Sequence, residues 1–216
     1  MTRRALLVDY GGVLTAPVAE AFGTFETAQG LPEGSSFASL AAASRSADGG
    51  VIGALERGEM ELRDFEAELR SLLAASGVTV GEGVALLDGL LRAMEPAGGL
   101  WSLVDVVRAK GVRTGLLSNS WGLSPYPMVE LRARFDDIVL SGEVGLRKPD
   151  PAIYRLAARR LEVEPEDCVF VDDLAGNVRA AAALGMTAVH HTGDDRATWE
   201  AVTDALAISA PPHPPH

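Results

Sequence analysis

Three short apolar runs of this chain end in polar residues, and a fourth segment carries a lysine. Asp9 follows Ala5-Leu6-Leu7-Val8, and Ser118-Asn119 closes Gly115-Leu116-Leu117. Lys148 stands in the run Gly145-Leu146-Arg147-Lys148-Pro149-Asp150-Pro151, and Asp172-Asp173 follows Val169-Phe170-Val171. Together they offer three carboxylates, a hydroxyl and an ammonium. Three carboxylates brought close together repel and shift one another's pKa unless a cation joins them. Hard oxygen ligands suit Mg²⁺, which keeps several waters and also takes phosphate oxygens. The lysine and the serine would then face the same anion.

Taken singly, each residue has a plainer role. Asp9 before Gly11 and Gly12 reads as a turn residue, and Ser118-Asn119 as a loop or helix cap. Asp172-Asp173 reads as a solvated helix N-terminus favoured by the dipole. Lys148 reads as surface. The combination reads otherwise, because the four sites recur in order at four successive strand ends. Of 19 basic residues only Lys110 and Lys148 are lysine, so a lysine in that run is notable. Trp121 reads as cleft mouth or plain packing, His190-His191 as strand end and loop, and Cys168 as a small buried hydrophobe.

The elements that must carry these residues follow from pattern. Strands are expected at 5–8, 113–118, 138–141, 168–171 and 187–190. Helical periodicity fills 17–96, with Leu62, Phe65, Leu69, Leu72 and Leu73 on one face and Val84, Leu87, Leu91 and Met94 on another. Further helices are expected from Leu100 to a stop at Gly111, at 126–133, at 176–184 with a stop at Gly185, and at 195–207. Asp150-Pro151 is a helix start, with Asp as N-cap and Pro at the first helical position. Strands alternating with helices imply an α/β fold with a mainly parallel sheet covered on both faces. Ligands of such sheets bind beyond the carboxyl ends of the strands, where the polar residues stand. The block 17–96 is too long for a simple crossover, so it reads as a helical domain inserted into an α/β domain formed by 1–16 and 97–208. The links at Thr15-Ala16-Pro17 and Pro96-Ala97-Gly98-Gly99 would be its hinges. The Pro-rich tail 209–216 reads as disordered.

Composition narrows the function classes. The chain has 216 residues, 47% of them hydrophobic, and 30 acidic against 19 basic residues give a net charge of −11. Such a balance argues against nucleic acid and against anionic lipid, both of which need a basic face. The single Cys168 excludes an internal disulfide and points to a reducing compartment. The run Ala5–Val8 is too short for a signal peptide or a membrane span. The expectation is a soluble, cytoplasmic protein.

The runs Leu6-Leu7-Val8-Asp9-Tyr10-Gly11-Gly12-Val13-Leu14, Gly115-Leu116-Leu117-Ser118-Asn119, Lys148-Pro149-Asp150-Pro151 and Val169-Phe170-Val171-Asp172-Asp173 resemble the haloacid dehalogenase-like hydrolase superfamily. The resemblance covers residues 1–207 and is nearest to the branch of the soluble epoxide hydrolase N-terminal domain and bacterial sugar-phosphate phosphatases. It implies a Rossmann-like core with the helical block as a cap domain. It also implies a Mg²⁺-dependent phosphatase that works on a small phosphorylated substrate through an aspartyl-phosphate. On that resemblance Asp9 is nucleophile and metal ligand, and Gly11 offers its backbone carbonyl to the metal. Ser118, the Asn119 backbone and Lys148 bind the phosphoryl group, and Lys148 also holds Asp9. Asp173 is the direct metal ligand and Asp172 its outer partner.

One position departs from the pattern. The superfamily's phosphatases usually carry a second Asp two residues after the nucleophile, and here Gly11 stands instead. General acid–base help is typically worth ~10²–10⁴-fold. Some members of the neighbouring branch share that Gly, and the phosphatase reading stands. A catalytically weak or silent phospho-ligand-binding protein is the alternative of another class. A haloacid dehalogenase ranks lower: those enzymes carry a Tyr at that position and a Ser-x-Asn pattern where this chain has Asp172-Asp173.

Overall fold

A computed structural model describes residues 4–44, 48–81, 86–94, 96, 98–122 and 126–209. Its centre is a parallel sheet of five strands: β1 (Ala5–Val8), β2 (Arg113–Ser118), β3 (Asp137–Leu140), β4 (Cys168–Asp172) and β5 (Thr187–His190). Their order is β3-β2-β1-β4-β5. Leu7 is level with Gly115 on one side and Phe170 on the other. The order reverses at β1, so the crevice beyond its carboxyl end is the topological switch point at which such sheets bind ligands. Asp9 leaves the sheet there, its N–H donating to the Val171 carbonyl at 2.9 Å.

The pleat sends alternate residues to opposite faces. Leu6, Val8, Leu116, Val169 and Val171 pack under α6 (Leu100–Ala109), α7 (Met128–Arg134) and α11 (Asp195–Ala205), meeting Leu103, Val107, Leu131, Trp199 and Val202. Ala5, Leu7, Val139 and Phe170 turn to the other face, against Ile153, Tyr154 and Ala157 of α9 (Pro151–Arg160) and Ala181 of α10 (Ala175–Ala183). Burying such a side chain contributes about 1.5–3 kcal/mol, so the short central strands are held by both faces at once. Asp150 caps α9, its side chain accepting from the Ala152 N–H at 2.8 Å with Pro151 in the first turn. The third strand ends at Leu140, one residue earlier than the apolar run suggests, because Ser141 opens a short helix, α8 (Ser141–Val144). Its hydroxyl accepts from the Ser120 N–H at 2.8 Å.

Between β1 and β2 the chain forms α1 (Val18–Gln29), α2 (Ser35–Ala43), α3 (Gly50–Glu56), α4 (Leu62–Ala75) and α5 (Leu86–Ala93). These helices hold their own apolar cluster, including Phe22, Phe25, Leu40, Leu55, Phe65, Leu69, Leu73 and Leu87. The faces expected on α4 and α5 supply much of it, and Val84 lies outside the described residues. The two chain crossings between sheet and insertion meet in an antiparallel bridge, Thr15 with Pro96. Residues 210–216 of the Pro-rich tail also lie outside the described residues. No helix among the described residues is long and apolar enough to cross a membrane.

Candidate active site

Lys148 is 1% exposed and its ammonium is divided between two carboxylates. Nζ lies 2.7 Å from Asp9 Oδ1 and 2.7 Å from Asp172 Oδ2. Burial works against the charge, but the two carboxylates outweigh it and hold the ammonium well above its ordinary pKa. Asp9 Oδ1 also accepts from the Tyr10 N–H at 2.7 Å. Asp172 ends β4 with both oxygens engaged: Oδ1 by the Leu174 N–H at 2.8 Å and Asn177 Nδ2 at 3.0 Å, Oδ2 by Lys148 and by Asn177 Nδ2 at 3.1 Å. Asp172 is therefore the anchor of the lysine.

Asp9, Asp172 and Asp173 each bring a carboxylate oxygen within 4.8 Å of the others. Burial raises the Asp9 carboxyl to about 7; Lys148 pulls it down, and Asp172 and Asp173 push it up. Burial and the neighbouring Asp172 raise Asp173 to about 6. The excess of negative charge over the single lysine is what a divalent cation would relieve. Because Asp172 is saturated, Asp9 and Asp173 are the pair with capacity for such an ion, and their oxygen chemistry fits Mg²⁺. Gly12 makes room for this pair. Its φ is +71°, and a β-carbon there would fall 2.4 Å from Asp173 Oδ2. Gly11 is different: its φ lies outside the left-handed region, and a β-carbon would meet only Met94 Cε and Val18 Cγ2, both at 3.5 Å.

Ser118 ends β2, 2% exposed, with Oγ 2.9 Å from the Tyr126 hydroxyl. The Tyr126 ring lies 4.7 Å from that of Tyr10, and its burial raises the phenol's pKa, so it stays a neutral hydrogen-bonding group. Asn119 turns its side chain to the backbone of Lys148. Oδ1 accepts from the Lys148 N–H at 2.8 Å, and Nδ2 donates to the Lys148 carbonyl at 3.0 Å. The Asn119 side chain thus sets the lysine, while its expected phosphoryl contact is through the backbone.

Three residues that the sequence pattern did not single out join the site. Tyr126 is one; its only local sign is an aromatic between two prolines shortly after Ser118. Glu56 of α3 is buried and accepts from Arg147 Nε at 2.6 Å and Asn119 Nδ2 at 3.2 Å. Arg147, beside Lys148, is the third. Trp121 takes both expected roles: its ring lies 5.7 Å from that of Phe65, and it lines the cavity. His190 Nε2 lies 2.9 Å from the Asp173 carbonyl, and buried His191 pairs with the Thr198 hydroxyl at 2.8 Å. Burial lifts the Cys168 thiol to about 12, leaving it an inert packing group.

Asp9, Gly11, Ser118, Asn119, Lys148 and Asp173 all open on one cavity of about 500 Å³ between the strand ends and the insertion. Its far wall is apolar, with Phe22, Phe37, Leu40, Ile52, Leu91 and Met94. A larger surface groove of about 970 Å³, beside Arg155 and Arg159, holds none of these residues. Chemistry therefore points to the smaller cavity.

The chain is similar to proteins of known character. It is 29% identical over 232 residues to bifunctional epoxide hydrolase 2 of Sus scrofa, an alignment covering 100% of this chain and 41% of that protein. It is 30% identical over 140 residues to the sesquiterpene phosphatase astK of Aspergillus oryzae, covering 63% of this chain and 70% of that one. The chain thus spans well under half of the epoxide hydrolase. Its fold matches that of the HAD family enzyme bt-2542 of Bacteroides thetaiotaomicron, crystallised in complex with magnesium and inorganic phosphate. The TM-score is 0.61 at 23% identity, covering 89% of this chain and 96% of that one. Residues 3–185 match the family model described as haloacid dehalogenase-like hydrolase. With the parallel sheet and the strand-end carboxylates in place, that match makes this chain a member of the haloacid dehalogenase-like hydrolases.

Proposed function

We propose that this hydrolase is a Mg²⁺-dependent phosphatase that cleaves small phosphate monoesters through an aspartyl-phosphate on Asp9. The observation that carries the reading is the placement of Lys148 Nζ 2.7 Å from Asp9 at the switch point of the sheet. The ammonium keeps Asp9 oriented and draws the phosphoryl group's negative charge to it. Ser118 donates to a phosphoryl oxygen, its hydroxyl fixed by Tyr126, and the Asn119 backbone assists. Asp9, Asp173 and the Gly11 carbonyl would hold Mg²⁺, with Asp172 as outer partner. The ion would neutralise phosphoryl charge and align the group for in-line attack. A carboxylate oxygen of Asp9 then forms a bond to phosphorus as the bond to the organic oxygen breaks, and water cleaves the resulting acyl phosphate. Positioning and charge stabilisation supply most of the rate in such transfers.

In this reading residues 17–96 are a cap over a core formed by 1–16 and 97–208, and closure excludes water from the cleft. The apolar wall of the cavity favours a substrate whose organic group is apolar over a sugar, whose hydroxyls would find few partners there. The sesquiterpene phosphatase among the relatives agrees with that preference. Gly11 sustains a second reading, a phospho-ligand-binding protein with slow turnover, because no carboxylate stands there to protonate the leaving group.

The test is phosphate release from p-nitrophenyl phosphate with Mg²⁺ and with EDTA. Its leaving group needs little protonation, so the reading requires Mg²⁺-dependent release that Asp9→Asn abolishes. Mg²⁺-dependent phosphate binding without release would favour the second reading.

A further inference from the structure

Glu56 belongs to the helical insertion, yet its carboxylate reaches two loops of the sheet. The side chain is 10% exposed. Oε2 accepts from Arg147 Nε and from Asn119 Nδ2, and Oε1 lies 3.5 Å from Trp121 Nε1. The Arg147 guanidinium sits between the Glu56 carboxylate and the start of α3, where a β-carbon on Gly49 would fall 2.7 Å from Nη1. Beyond the other end of α3, a β-carbon on Gly58 would fall 2.4 Å from the Gly142 carbonyl oxygen. The insertion therefore rests directly on the backbone of α8.

The partners of Glu56 are not arbitrary surface groups. Arg147 is the residue before Lys148. Asn119 divides its two amide protons between Glu56 and the Lys148 carbonyl, while its oxygen takes the Lys148 N–H. The ion pair with Arg147 already ties the insertion to the loop before Lys148. The added bond to Asn119 continues the chain of contacts to the peptide unit that carries the lysine. Hydrogen bonds to a charged acceptor are also the stronger kind.

We propose that Glu56 is a positioning residue for Lys148, making the placement of the ammonium depend on α3 being docked against the strand ends. The proposal rests on the phosphatase reading for its catalytic consequence, and on geometry alone for its structural one. A lysine set 1 Å off can cost a rate of order 10²-fold, even when the change is remote from the chemistry.

Amide hydrogen exchange and turnover test it together. Glu56→Gln keeps the size of the side chain and removes its charge. Exchange across residues 145–150 is expected to speed up in the folded variant while β1 and β4 stay protected. The kcat on p-nitrophenyl phosphate is expected to fall by about 10–100-fold with KM little changed. In an Asn119→Ala background the same substitution should add little, because both act through one contact chain. Unchanged exchange at 145–150, or losses that simply multiply with Asn119→Ala, would overturn the proposal and leave Glu56 a docking contact only. Should Glu56→Gln fail to fold, Arg147→Gln removes the ion pair from the other side and must give the same exchange signature. If the wild type shows no Mg²⁺-dependent release, the phosphatase reading fails, and the exchange experiment still decides the role of Glu56.

Discussion

Gly12 and Asp173 occupy adjoining space so closely that a β-carbon on the glycine would sit 2.4 Å from the carboxylate's Oδ2. The glycine also has φ +71°, with its N–H donating to the Thr15 hydroxyl at 3.0 Å. A left-handed conformation costs a non-glycine residue about 1–2 kcal/mol. Gly12→Ala is therefore expected to lower stability by about that amount and to turn Asp173 out of the carboxylate cluster. Thermal melting and Mg²⁺ titration check the two effects separately. A variant with wild-type melting and metal affinity would show that Asp173 does not need the space.

Gly11, its neighbour, should tolerate a side chain. Its φ is unexceptional and only ordinary contacts await a β-carbon. On the phosphatase reading Gly11→Asp is thus a clean way to supply the acid that position lacks. On phosphate esters of graded leaving-group pKa, the wild type should show a steep dependence that the variant flattens. General acid help of ~10²–10⁴-fold sets the scale for the most basic leaving groups. A flat wild-type profile would mean that another group supplies the proton or that a later step limits turnover, and trapping the phosphoenzyme separates those two.

The two aspartates at the end of β4 should fail differently. On the proposed reading Asp173→Asn removes a metal ligand and should weaken Mg²⁺ binding and turnover together. On the same reading Asp172→Asn disturbs an outer partner, for which a loss of about 10–100-fold in metal affinity is usual. Because Asp172 takes the Lys148 ammonium at 2.7 Å, its turnover loss should exceed its affinity loss. Calorimetric titration of Mg²⁺ beside steady-state rates distinguishes the variants. Equal affinity losses for both would place Asp172 among the direct ligands.

Glu26 offers a pH test away from the site. Burial pushes its carboxyl up, but the Ser36 hydroxyl and the Gly34, Ser36 and Phe37 N–H groups outweigh burial and hold it below the usual carboxylate value. A depressed folded pKa means that its contribution is fully present above the unfolded carboxylate pKa and is lost as pH falls through the folded value. Glu26→Gln should therefore be less stable than wild type at neutral pH, and the gap should close on acidification. Denaturant unfolding at a series of pH values measures it, and a gap independent of pH would remove the charge from the explanation.

The strands and their ends were legible because their signals are local. Residues 5–8, 113–118 and 187–190 are strands at the bounds their apolar runs suggest. Asp150-Pro151 starts its helix through a contact two residues away. Periodicity, turn chemistry and capping act over a few residues, so one sequence displays them. The strand-end rule for parallel sheets then groups Asp9, Ser118, Lys148 and Asp173 on one side of the sheet.

Other features depend on residues far apart in the chain, and only the tertiary structure decided them. Arg147 and Glu56 are 91 positions apart, and nothing local marks either as the other's partner. Which oxygen of Asp172 meets Lys148, which glycine of the Gly11-Gly12 pair is left-handed, and that Tyr126 holds Ser118 all follow from how strand register and helix packing set side chains against one another. The apolar wall of the cavity is of the same kind. Phe22, Leu40 and Ile52 have the composition of any helical core, and only the docking of the insertion on the strand ends turns part of that core toward the site.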